Sequence, residues 1–110
     1  MKEQDYQKKV INYLEKECNA YVVKVITASK KGVPDVIACY RGYFLGIEMK
    51  TPKTRKNTSE LQKYNLAKIK ESEGYSLVAV DVDDLFPTLS YIDTLHGMAI
   101  DDNPTLEKRT

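Results

Sequence analysis

Gly32-Val33-Pro34-Asp35-Val36-Ile37-Ala38-Cys39-Tyr40, then Arg41-Gly42, then Tyr43-Phe44-Leu45-Gly46-Ile47-Glu48-Met49-Lys50: this run decides the fold. Val36–Tyr40 and Tyr43–Met49 read as two short apolar strands, with Arg41-Gly42 as the tight turn between them. Side chains alternate faces along a strand, so residues two apart share a face. Glu48 and Lys50 therefore project to one side, and Leu45, Ile47 and Met49 to the other. Asp35 stands at the start of the first strand. If the two strands pair as a hairpin, Asp35 lies across from the Glu48–Lys50 end. Two carboxylates and an ammonium then meet at one edge of a sheet.

Such a cluster suits phosphodiester chemistry. Asp35 and Glu48 offer hard oxygen ligands for Mg²⁺ or Mn²⁺. Two carboxylates suffice for Mg²⁺, which keeps several waters and takes the rest of its shell from substrate phosphate. Lys50 can position or deprotonate a water, or stabilise charge building on phosphorus. The same spacing also reads as a plain strand end, with Glu48 and Lys50 salt-bridged on a wet face.

The flanking residues separate these readings. Pro34-Asp35, a gap of 12 residues, then Glu48-Met49-Lys50, resembles the PD-(D/E)XK nuclease signature. Gly-Val-Pro-Asp, an apolar strand, Ile-Glu-Met-Lys, a basic loop and then Ser59 and Gln62 on the next helix resemble the VRR-NUC family, the virus-type replication–repair nucleases. The resemblance covers roughly residues 3 to 80. It implies a small mixed β-sheet flanked by helices, an αβββαβ core of the restriction-endonuclease kind. It also implies Mg²⁺ or Mn²⁺ held by Asp35, Glu48 and the backbone carbonyl of Met49, with Lys50 as the catalytic lysine and Gln62 at the active site. The family brings a Glu from its first helix to the metal, and Glu3 or Gln7 is the matching position here. A Gln there would replace a carboxylate with a neutral amide. Small stand-alone members resemble nucleases that cut branched DNA such as four-way (Holliday) junctions. Two symmetric cuts suit a C2 homodimer.

Around the motif the chain reads in order. Residues 3–17 form an amphipathic helix with Tyr6, Val10, Tyr13 and Leu14 on its apolar side. Glu3 and Gln7 continue the line of Val10 and Leu14, and Glu3 and Asp5 suit the positive end of the helix dipole. Tyr21–Thr27 is a β-branched strand. Gly32 suits a positive φ before the motif, and Pro34 is tolerated at a strand start. Thr51–Asn57 is the densest basic run, too polar to hold structure of its own and mobile without a ligand. Its Lys53, Arg55 and Lys56, with Lys30 and Lys31 upstream, are candidate DNA-backbone contacts. Thr58 or Ser59 caps a helix running to about Glu73, which Gly74 ends. Gln62, Leu66 and Ile69 share one of its faces. Leu61, Tyr64 and Ala67 share the other, an apolar face open to a second subunit. Tyr75–Val80 is a closing strand. Asp81–Asp84 cap a short turn that stops near Pro87, and residues 88–99 read as a short helix or packing arm.

Length and composition fit one soluble domain: 110 residues, 42 % apolar and 30 % charged. Residues 1–80, the nuclease-like core, carry 15 Lys and Arg against 9 Asp and Glu, a balance of +6. Residues 81–110 carry 2 against 7, a balance of −5, and read as an acidic extension packed on the same domain. A basic body suits a nucleic-acid partner better than the overall charge of +1 suggests. Cys18 and Cys39 have no CxxC neighbour and read as reduced core thiols of a cytoplasmic protein, cellular or phage-encoded. A single histidine, His96, argues against zinc sites and histidine-based nuclease chemistry. No apolar run has the length of a membrane span. Two other readings stay open: a non-catalytic nucleic-acid-binding or adaptor domain that keeps the fold, and an α/β domain with incidental charges.

Overall fold

The computed structural model describes residues 1–102. Its elements run α1 (Glu3–Lys16), β1 (Tyr21–Lys24), β2 (Val36–Tyr40), β3 (Tyr43–Met49), α2 (Glu60–Glu71), β4 (Tyr75–Ala79), a 3-10 turn (Val82–Leu85) and α3 (Phe86–Asp102). The sheet order follows the chain, β1-β2-β3-β4. The first two pairings are antiparallel, and β3 and β4 are parallel. Helix α2 supplies the crossover that a parallel pair requires. This is the small mixed sheet flanked by helices expected from the αβββαβ pattern.

The hairpin sets the register of everything else. Arg41 and Gly42 both have positive φ, 52° and 88°, the turn geometry that follows the twist of paired strands. It aligns Val36 with Ile47 and Ala38 with Leu45. One face of the sheet then carries Val36, Ala38, Tyr40, Leu45, Ile47 and Met49, all buried. Val10 and Leu14 of α1 and Leu89 and Ile92 of α3 close over them, with Leu85 of the 3-10 turn in the same cluster. The residues after Val80 thus contribute side chains to the core. Val10, Leu14, Leu45, Ile47 and Met49 are fully enclosed, and burial of each stabilises the fold by about 1.5–3 kcal/mol before chain entropy is counted. Helix α2 lies against β3 and β4. Gly46 permits that approach, since a Cβ there would meet Ile69 Cδ1 at 2.8 Å.

Five expectations change. β1 ends at Lys24 rather than Thr27, because its partner β2 begins only after Pro34; one further bond, from the Val25 amide to the Asp35 carbonyl at 2.8 Å, closes the ladder. Helix α2 stops at Glu71, and the left-handed residue after it is Glu73, φ 69°, rather than Gly74. Pro87 stands in the first turn of α3 instead of ending a turn, a position where a missing N–H costs nothing. Cys39 is exposed on the sheet face away from the main core, so only Cys18 is even partly enclosed. The basic segment 51–57 has structure of its own. Thr54 donates to the Thr51 carbonyl at 3.1 Å, Asn57 donates to the Thr54 carbonyl at 2.8 Å, and Thr51 donates to Thr54 Oγ1 at 2.8 Å. Residues 103–110 of the acidic extension lie outside the described residues.

Candidate active site

The site is built where β2 begins, β3 ends and α2 begins. Glu48 and Lys50 point to the α2 side of the sheet, as alternation requires. Glu48 is 3 % exposed and Lys50 9 %. Buried charges are expensive unless they are partnered, and Gln62 is the partner that serves both. Its Nε2 donates to Glu48 Oε2 at 3.1 Å, while its Oε1 accepts from Lys50 Nζ at 3.1 Å. Lys50 Nζ also donates to the Asn57 carbonyl at 3.1 Å and stands 3.9 Å from Glu48 Oε2.

Gln62 is fixed by local sequence. Ser59 is the N-cap of α2 and Gln62 its N3 residue. The Gln62 amide donates to Ser59 Oγ at 3.1 Å, and the Ser59 amide donates to Gln62 Oε1 at 2.9 Å. This capping box holds the carboxamide in one orientation. The same oxygen that completes the cap receives the Lys50 ammonium.

Asp35 completes the carboxylate pair. Continuing the hairpin register by one pair beyond Val36–Ile47 sets Asp35 opposite Glu48, and by two sets Pro34 opposite Met49. Proline has no N–H, so it offers no ladder bond to the Met49 carbonyl. The Met49 amide instead donates to Asp35 Oδ2 at 2.9 Å. The Met49 carbonyl, next in the chain after Glu48, thus has no Pro34 N–H to accept from. Burial pushes the Glu48 carboxyl up to about 8, helped by the charge of Asp35 and a side-chain hydrogen bond with it, against the opposing pull of Lys50. Glu3, at the start of α1, adds a weaker push in the same direction, so it is close enough for its charge to be felt at Glu48. Gln7, one turn on, is buried.

Among the described residues no three His, Cys, Asp or Glu side chains form a metal-binding group. The donors that do converge are two acidic oxygen donors and one carbonyl. They suit a hard divalent cation that keeps most of its waters, and do not suit a zinc cage. Repulsion between the Glu48 carboxyl, which is buried, and that of Asp35, which is half-buried, is what such a cation would relieve, so the residues present fit the group.

All five basic candidates are exposed. Arg55 is already engaged: its Nη1 and Nη2 donate to Asp84 Oδ1 and Oδ2, each at 3.1 Å. Lys30 lines a groove beside α2. The carbonyl of Lys31 accepts from Asn65 Nδ2 at 3.1 Å, while Lys53 and Lys56 are exposed. Two contributors were not singled out from the sequence, the Asn57 carbonyl and Asn65. The Asn57 carbonyl, being backbone, gives no sequence signal. Asn65 ties the loop before the motif to α2. Asp84 also accepts from the Val80 and Asp81 amides at 2.8 and 3.2 Å. Burial works against the Asp84 charge, but the bonds from Arg55 and the two amides outweigh it and hold its carboxyl below the usual range. Its signal was the acidic cluster after the last strand, which here caps and pairs as such clusters commonly do. Asp81 likewise accepts from Lys9 Nζ at 2.8 Å.

Hairpin, crossover helix and buried carboxylate edge together define a nuclease-like fold. A solved VRR_NUC domain superposes on the chain with a TM-score of 0.65 at 21 % identity, covering 77 % of this chain and 94 % of that one. The chain thus has the VRR_NUC fold, as the Pro34-Asp35…Glu48-Met49-Lys50 resemblance implied. Neither a family model nor a curated protein matches the sequence. Among the described residues no helix is long and apolar enough to cross a membrane.

Proposed function

We propose that the protein is a Mg²⁺- or Mn²⁺-dependent, structure-selective DNA endonuclease that cuts branched DNA such as four-way junctions. The observation that carries this reading is the buried Glu48 and Lys50 pair, 3.9 Å apart and bridged by the Gln62 carboxamide, with Asp35 brought opposite Glu48 by the hairpin register. A fold does not need a buried carboxyl beside a second one and a buried ammonium; a cation site does.

Asp35, Glu48 and the Met49 carbonyl would hold the cation, which when bound supplies Lewis acidity toward a phosphate oxygen and a water. The chain's own groups do the rest. Gln62 and the Asn57 carbonyl fix the Lys50 ammonium, so it meets the attacking water or the developing phosphorane charge without reorganising. Burial excludes bulk water and strengthens every charge interaction at the edge. Glu3 or Gln7 is the first-helix residue for the site: Glu3 carries the charge but is exposed, and Gln7 is buried but neutral. Lys30, Lys31, Lys53 and Lys56 offer phosphate contacts, and Arg55 joins them on leaving Asp84. Leu61 and Tyr64 are 46 % and 59 % exposed on the outer face of α2, a surface through which two copies could pair to deliver symmetric cuts.

The test is cleavage of labelled four-way junction, flap and linear duplex by wild type and Lys50→Ala, with Mg²⁺, Mn²⁺ or chelator. Metal-dependent cutting of a branched substrate is expected, with a loss of about 10²–10⁴-fold in the variant. Binding without cutting under every metal would sink the enzyme and leave a nucleic-acid-binding domain.

A further inference from the structure

Resting on that nuclease reading, we propose that the open part of the sheet face beside α2 is a groove for unpaired nucleotides of the DNA strand flanking the cleaved phosphodiester. The register that sets Asp35 and Glu48 on this face also sets Ile37, Gly46 and Phe44 there. Helix α2 covers β3 and β4. Next to it, over β1 and β2, a groove of about 620 Å³ remains, within the roughly 300–1,000 Å³ of ligand sites. Val23, Ile37 and Phe44 line its floor, Ile69 of α2 one wall, and residues 25–28 the other. Pro34 lines it as well, and Pro34 is bonded to Asp35, so the groove leads onto the carboxylate edge.

Its chemistry suits one occupant. The floor is aliphatic with one aromatic ring, Phe44, 45 % exposed, and Ile26 at the rim is 83 % exposed. Lys24, Lys30 and Lys68 line the groove and no acidic residue does. Among the described residues Lys68 pairs with Glu71 at 3.3 Å, and Lys24 and Lys30 make no ion pair. An apolar floor with a ring takes base faces while lysines take phosphates, the combination that binds single strands without reading sequence. A duplex keeps its base faces stacked and has none to offer. A second copy fits poorly, since a two-fold axis through the groove would set the same lysines against one another. The exposed α2 residues suited to self-association, Leu61 and Tyr64, lie outside the groove lining.

The experiment is fluorescence anisotropy in chelator with the full chain. The probes are a labelled thymidine oligonucleotide of about 12 nucleotides, within the ~4–16 that single-strand sites span, and a hairpin duplex. Phe44→Ala is expected to weaken single-strand binding roughly 5- to 100-fold, the cost of one lost stacking platform. Lys30→Glu should weaken it and make the salt dependence shallower by about 1 in log–log slope. Duplex binding should move far less in Phe44→Ala. Circular dichroism checks folding, and if Phe44→Ala unfolds, Ile26→Asp carries the test at a side chain already in solvent. Wild-type single-strand affinity in the folded variants overturns the groove. So does a wild-type dimer in sedimentation that Ile26→Asp or Phe44→Ala dissociates, which would make a second copy the occupant. The two readings fail separately. Metal-dependent cutting with unaltered single-strand binding in the variants sinks the groove alone. Single-strand binding that depends on Phe44 without any cutting upholds the groove and sinks the nuclease.

Discussion

Replacing Glu48 with Gln should make the metal-free protein more stable, and more so as pH rises. The Glu48 carboxyl ionises near 8 in the folded chain against an ordinary 4.5. At about 1.36 kcal/mol per pH step, that gap opposes ionisation of the folded chain by up to about 5 kcal/mol. The sign follows from the proton count. Below 4.5 both folded and unfolded chains hold the proton, and no penalty exists. Between 4.5 and 8 the unfolded chain has lost it and the folded chain has not, so stability falls with rising pH. Above 8 the penalty is complete. Relaxation and water entry reduce such ceilings severalfold, so a gain of roughly 1–3 kcal/mol for Glu48→Gln at pH 8.5 is expected. For a domain of this size that is a rise in Tm on the order of 5–15 °C. At pH 4.5 an amide nearly isosteric with the protonated acid, still able to bond Asp35 and Gln62, should leave Tm close to wild type. The assay is thermal denaturation in chelator across pH 4.5 to 9, repeated with Mg²⁺. Added Mg²⁺ should stabilise wild type at high pH, by about 2.7 kcal/mol at a hundredfold excess over Kd, and should not stabilise the variant. A constant offset between the two proteins at all pH values would refute the reasoning, because it would mean that no proton is held at this edge.

The other expected outcomes follow from the same network. Ser59→Ala removes only the helix cap and should cost about 1 kcal/mol in urea denaturation, with cleavage largely kept. Gln62→Leu strips partners from the buried Lys50 ammonium and the buried Glu48 carboxyl, so it should cost more, about 2–4 kcal/mol, and lower the cleavage rate sharply; equal effects of the two substitutions would show that Gln62 only caps. Gly32→Ala should cost about 2–4 kcal/mol, since φ is 80° and a Cβ would stand 2.9 Å from the Leu61 backbone; a neutral urea midpoint would show that the loop moves freely. Asp84→Asn should cost about 1–2 kcal/mol at neutral pH by loosening Arg55 and the 51–57 loop. Because the Asp84 carboxyl is held low, its contribution is complete above about 4 and lost as pH falls through the folded value, so acid titration of both proteins should show the gap closing.

The hairpin, the first helix and the capped second helix were legible because each is written locally. Strand alternation separated Glu48 and Lys50 from Leu45, Ile47 and Met49. Arg41-Gly42 marked the turn, and Ser59 with Gln62 marked the cap. What was not legible depends on contacts distant in sequence. The 51–57 run looked unstructured because its composition is polar, yet Asp84, 29 residues beyond Arg55, holds it. Cys39 looked like core because it sits in an apolar strand, yet its face is covered only over β3 and β4. The final helix was blurred because Pro87 resembles a stop until the 3-10 turn before it makes it a first-turn residue.

The arrangement also explains why hairpin, loop and helix come in that order. A hairpin alone would leave Glu48 and Lys50 as an ion pair in water, worth little and free to move. Burying them without partners would cost several kcal/mol for each charge. The first turn of α2 resolves the conflict from two sides. Gln62 supplies a donor to one charge and an acceptor to the other, while Asn65 fastens the Lys31 carbonyl four residues before Asp35. Both halves of the motif are therefore referenced to one rigid helix start rather than to each other. Any displacement of that start, by loss of the cap or of the close Gly32–Leu61 contact, should move Asp35 and Lys50 together and weaken the site before it unfolds the sheet.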